Sequence, residues 1–95
     1  MQKSPTSQLK VGALVRVTWE DASSHDEGWA KIEEIENRVQ KCMTVGWVVK
    51  RDRKQVVLAM SHGKHPSDGV EQYATTWALP LGFVTEILVL EAPKK

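Results

Sequence analysis

The chain has 95 residues, enough for one domain with a single hydrophobic core and too few for a second. Its 13 basic and 12 acidic residues nearly cancel, which argues against a strong sequence-independent hold on nucleic acid, since that needs many cations on one face. The lone Cys42 cannot close an internal disulfide, and no apolar run is long enough for a secretory signal or a membrane span, so a reducing, cytoplasmic setting is expected.

Residues 1–8, "MQKSPTSQ", lack apolar periodicity and read as a polar leader, residues 9–91 as the folded domain, and residues 92–95 as a tail. In "ALVRVTWED" the alternation of Val15, Val17 and Trp19 with Leu14, Arg16 and Thr18 predicts a half-buried strand. After the loop "DASSHDEG" comes "WAKIEEIENRV", where Trp29, Ile32, Ile35 and Val39 fall at helical spacing, predicting a short amphipathic helix or helical turn.

"MTVGWVVK" and "QVVLAMSH" are two further strands joined by a charged hairpin turn, and their near-continuous apolar character places them centrally in a sheet. Gly46 inside the first of them fits a bulge, a strong bend or the close approach of another backbone or ligand. "HGKHPSDG" is a loop, "VEQYATTWA" alternates with Tyr73, Thr75 and Trp77 on one side, "LPLG" is a tight turn, and "FVTEILVLE" is the last strand. Five strands and one helical turn after the first predict a mostly β fold, a small, strongly bent barrel of the SH3 or Sm type. The competing architecture is an open α+β sheet with the helix on one face.

Three short elements, W-x-D-A at Trp19 to Ala22, T-V-G-aromatic at Thr44 to Trp47, and P-x-G at Pro80 to Gly82 before the final strand, resemble a group of small bacteriophage proteins. The resemblance implies a phage accessory protein acting in the cytoplasm of an infected bacterium. Stoichiometric capture of a nucleotide-derived signal of host defence is the function expected on that basis. A protein-interaction module that inhibits a host protein and an Sm-like nucleic-acid binder are the alternatives, the last disfavoured by the near-neutral charge.

The candidate ligand contacts are Trp19, Asp21, Ser24, His25, Trp29, Thr44, Trp47, Ser61 and His62, with Arg16 and Lys50 for phosphate. An Asp at the end of a strand accepts either the N–H of its own following turn or both hydroxyls of a ribose. Indoles at positions 19, 29 and 47 are either core anchors or stacking platforms for a base, and Trp47, flanked by Val45 and Val49, is the one most expected to be buried. Around Lys50, "KRDRK" reads as a solvated hairpin tip or as a phosphate contact.

No catalytic framework and no paired metal-ligand motif stands out: His62 and His65 lie in a Gly- and Pro-rich loop, Cys42 lies at a strand start, and no Gly-x-Ser-x-Gly or comparable framework is present. A non-enzymatic protein without cofactor or metal is expected, with weak nucleotide phosphodiesterase activity as the residual enzymatic option. Leu14 on the polar side of the first strand and the apolar "EILVLEA" edge predict a homo-oligomer.

Overall fold

The computed structural model describes residues 9–22, 29–35 and 39–94. Five strands, β1 (Leu14–Asp21), β2 (Gln40–Arg51), β3 (Gln55–Lys64), β4 (Glu71–Pro80) and β5 (Val84–Glu91), form one antiparallel sheet in the order β4-β3-β2-β1-β5. Two 3-10 turns, Ile32–Glu34 and Leu81–Phe83, are the helical elements among the described residues. The two apolar runs expected to be central are so: β2 is the middle strand, and β3 lies inside the sheet edge.

The alternation in β1 decides its two faces. Val15, Val17 and Trp19 are buried against Val48, Val56, Leu58, Leu79 and Ile87, while Leu14, Arg16 and Thr18 occupy the outer face. Trp19 leaves its indole N–H inside this core, and the group is satisfied by donating to Thr44 Oγ1 at 3.0 Å. The ring of Trp19 also meets Trp77 edge-on, with centroids 5.1 Å apart. Since β1 and β4 are not neighbours in the sheet, this contact requires the sheet to curl over its own core.

The curl is built into β2. Its first part pairs with β1 from Asp21↔Gln40 to Leu14↔Trp47, and its last part pairs with β3 from Trp47↔Ala59 to Arg51↔Val56. Gly46 stands where one partnership gives way to the other, and a Cβ there would lie 2.8 Å from the carbonyl oxygen of Ala59. The glycine is therefore a close-approach site, one of the roles its place in the strand suggested. A register shift between Val48 and Lys50 adds to the bend. No hydrogen-bonded pairing joins β4 to β5 among the described residues, so the sheet keeps two edges.

Two expectations about faces are corrected. Trp47 does not point into the core with Val45 and Val49: Gly46 and Val48 are the buried residues of this segment, Trp47 is half-buried and Val45 is exposed. All of these positions except glycine are apolar, so alternation marks two faces without saying which is inner. The stripe of Trp29, Ile32, Ile35 and Val39 is exposed throughout, and the helical element within it is only the turn Ile32–Glu34. The loop "DASSHDEG" falls largely outside the described residues, as do Ser24 and His25.

The β2–β3 turn is closed by Asp52, whose Oδ1 accepts the backbone N–H groups of Lys54 at 2.8 Å and Gln55 at 2.9 Å. These two bonds, chiefly that from Lys54, hold the carboxyl below its ordinary value of 3.8. A depressed folded-state pKa contributes stability that is present above the unfolded value and lost as pH falls through the folded one. Wild type is therefore expected to lose a component of its thermal stability as the pH is lowered below about 4, a component that Asp52→Ala lacks at every pH; parallel acid titrations of Tm check this.

Beyond Ala59, β3 parts from β2 and pairs with β4 alone, from Ser61↔Ala74 to Lys64↔Glu71. Thr75, which lies opposite Met60 in this register, has φ of +58°. A β-branched residue in the left-handed region is strained by about 1–3 kcal/mol and is held there by its surroundings. The expected single-sided row of Tyr73, Thr75 and Trp77 is broken at this point.

Candidate functional site

Three aromatic rings converge where the β3–β4 arm leaves β2. His62 lies flat on Tyr73, its cross-strand partner, with centroids 4.3 Å apart and planes 11° from parallel. Trp47 meets the same imidazole edge-on at 5.3 Å. The imidazole is steered by Glu71, whose Oε1 lies 3.0 Å from His62 Nε2, so Trp47, His62, Tyr73 and Glu71 form one contiguous cluster.

This cluster lines a cavity of about 370 Å³ completed by Gly12, Glu91 and Lys94. The volume falls in the range of small-ligand sites. The rings supply flat apolar surface, Glu71 and Glu91 supply acceptor oxygens, and Lys94 supplies a cation. Gly12, with φ of +96°, holds the chain against β2, donating its N–H to Val48 O at 2.8 Å while Val48 donates to Ala13 O at 2.9 Å. A more open groove, lined by Ser61, His62, Tyr73 and their neighbours on the arm, adjoins the cavity and shares His62 and Tyr73 with it.

The predicted contact residues are divided by the fold. Trp47 and His62 meet in the cavity, and Ser61 lies beside them in the adjoining groove. Trp19 and Thr44 are joined by their hydrogen bond on the core side of β1 and β2, so the Trp19 ring is a core anchor and offers no open face to a base. Trp29 is fully exposed and in none of these clusters.

Asp21 sits at the far end of β1, where it pairs with Gln40 and lines a separate cavity of about 320 Å³ with Glu20, Val39 and Phe83. Leu14, the partner of Trp47, begins the same strand. Seven residue steps separate Leu14 from Asp21, about 23 Å of extended chain, so a mononucleotide does not touch both Trp47 and Asp21.

Of the two predicted phosphate contacts, Lys50 is exposed beside the β2–β3 turn. Arg16 lies on the outer face between Val45 and Leu88, two residues along β1 from the partner of Trp47. Its Nε is buried with no hydrogen-bond partner among the described residues.

Tyr73, Glu71, Glu91 and Lys94 were missed by sequence reasoning. The signal for Tyr73 and Glu71 lay in the hairpin register: had the second apolar strand been extended to Lys64, antiparallel pairing across the loop would have set His62 opposite Tyr73. In that loop His65 donates its N–H to Val70 O at 2.9 Å, and its Nδ1 lies 2.9 Å from Ser67 Oγ. These contacts order the turn that holds the two strands in register. No group of three His, Cys, Asp or Glu side chains converges as a metal site among the described residues, and no described helix is long and apolar enough to cross a membrane.

Comparison of the chain with protein-family models, with curated proteins and with solved structures returns no match.

Proposed function

We propose that this is a non-catalytic binding protein that holds a nucleotide-derived small molecule, with the heterocycle seated in the cavity of Trp47, His62 and Tyr73. The observation that carries this reading is the run of three rings at one concave site, two of them stacked and the third edge-on. A base laid on such a ring gains about 1–3 kcal/mol and any base has a face to offer. Glu91 and the outer oxygen of Glu71 act as acceptors for sugar hydroxyls, the task the sequence suggested for Asp21. Phosphate then turns toward Lys94 or, along the outer face of β1, toward the guanidinium of Arg16.

The strand order, the bend at Gly46 and the 3-10 turn before β5 favour an SH3-like barrel as the finer description of the fold. The motif resemblance favours a phage protein directed at a nucleotide signal of host defence. Capture then means holding the signal intact in the infected cell.

Thermal-shift measurements against cyclic dinucleotides, cyclic ADP-ribose isomers and ADP-ribose conjugates test the proposal. A ligand at a hundred times its Kd stabilises the fold by about 2.7 kcal/mol, and each kcal/mol moves the Tm of a domain this size by roughly 4–8 °C. The shift is expected to vanish in Trp47→Ala and Tyr73→Ala while both variants remain folded. Recovery of the intact molecule after heating the complex supports capture; recovery of a cleaved product makes the protein an enzyme. Absence of a shift with every nucleotide at millimolar concentration overturns the proposal and leaves a host protein as the better target.

A further inference from the structure

The two edges of the sheet are unlike. β4 is interrupted by the left-handed backbone of Thr75 and ends in Pro80, features that disturb a regular ladder along that edge. β5 contains neither proline nor lysine, and from Glu86 to Val89 it keeps an unbroken register with β1. Its apolar residues remain open: Leu88 is 45%, Val89 39% and Leu90 48% exposed. Among the described residues the edge therefore presents unpaired N–H and C=O groups together with side chains that gain from cover.

We infer that β5 pairs antiparallel with β5 of a second copy about a two-fold axis at Leu88, making one continuous sheet through both subunits. A two-fold perpendicular to the sheet keeps outer residues on the outer face, so the axis must pass through a residue and not between two. Centred on Leu88, the strand is complementary to itself. Leu88 faces its own copy and Ile87 faces Val89, while Leu90 and Thr85 stand at the register shifts that bound this regular segment. No carboxylate falls within these opposed pairs, and the exposed Leu88 and Val89 take the middle of the seam. On the outer face the row Val45, Arg16, Leu88 continues into Leu88, Arg16 and Val45 of the other subunit.

Pairing of one strand is smaller than a standard interface of about 1,200–2,000 Å², which places the dimer in the concentration-dependent range.

Cysteine scanning in a Cys42→Ser background tests the register. Directly opposed Cβ atoms lie about 4.5–5.5 Å apart in an antiparallel pair, close enough to oxidise to a disulfide with small adjustment. Leu88→Cys is expected to run at twice the chain mass on non-reducing gels, whereas Leu90→Cys, beyond the register shift and off the axis, stays at chain mass. Sedimentation equilibrium should find wild type shifting from monomer to dimer between low and high micromolar concentration. Leu88→Lys, which sets two ammonium groups against each other at the axis, should stay monomeric with an unchanged circular dichroism spectrum. A wild type that is monomeric throughout, a Leu88→Lys chain that still dimerises, or equal cross-linking through position 90 each overturns the assignment.

Discussion

Leu58→Ala is expected to cost about 2–5 kcal/mol, a large part of the 5–15 kcal/mol available to a domain of this kind. Leu58 is fully buried, lies opposite Val48 in β2 and Trp77 in β4, and belongs to the cluster that also holds Val15, Val17, Val56 and Leu79. Removing its branched end opens a cavity at the crossing of the two halves of the curled sheet. Packing on both sides limits how far the site can collapse. Urea unfolding should show a lower midpoint at an unchanged slope, since the same surface is exposed on unfolding. Leu88→Ala, on the open face of β5, should stay within about 0.5 kcal/mol when compared at low protein concentration, where the monomer prevails. A loss below about 1 kcal/mol for Leu58→Ala would mean that this leucine is not at the centre of the core.

The contrast between these two leucines shows what the sequence could and could not say. In β1 the partition was legible because charged and polar residues mark one face, so Val15, Val17 and Trp19 could be placed inside from alternation alone. In β2 the run Thr44 to Val49 is apolar on both faces apart from threonine and glycine, and the choice between Trp47 and Val48 is made by which neighbour each strand half acquires. That is tertiary information. The stripe at Trp29, Ile32 and Ile35 has helical spacing, but a period only proposes a face, and burial requires a neighbouring element to receive it.

The candidate site divides in the same way. Trp47 and His62 could be singled out as residue types, and the fold does bring them together. Tyr73 and Glu71 enter through cross-strand pairing, which depends on where the loop at His65 begins and ends. Glu91 and Lys94 lie beyond or at the very end of the last strand, where local pattern carries no signal for contact with residues some forty positions earlier. Asp21 looked joined to the tryptophans because it is near them in sequence, yet an eight-residue strand separates its end from the end that meets Trp47.

Gly46→Ala should be both destabilising and damaging to the cavity, which ties the bend of the sheet to the site. The added Cβ would lie 2.8 Å from Ala59 O, 3.1 Å from the Leu58 Cβ and 3.1 Å from the Met60 Cε. The methionine end can swing aside, but the carbonyl belongs to the backbone of β3, so relief requires β2 and β3 to move apart. Overpacking of this kind costs about 1–3 kcal/mol, and Gly46→Val should cost more because its branches add to the same collision. Trp47 is the next residue and pairs with Ala59 itself, so the displacement acts on the indole that meets His62. The expected result is a lower Tm together with altered tryptophan fluorescence and weaker binding of any ligand found by thermal shift. Gly63→Ala is the matched control: it lies on the same β3 strand, has open space around the position of its Cβ, and should leave stability within about 0.5 kcal/mol. If Gly46→Ala proves as harmless as Gly63→Ala, the two strands do not approach closely at this point, and the bend must be set by the register shift after Val48 instead.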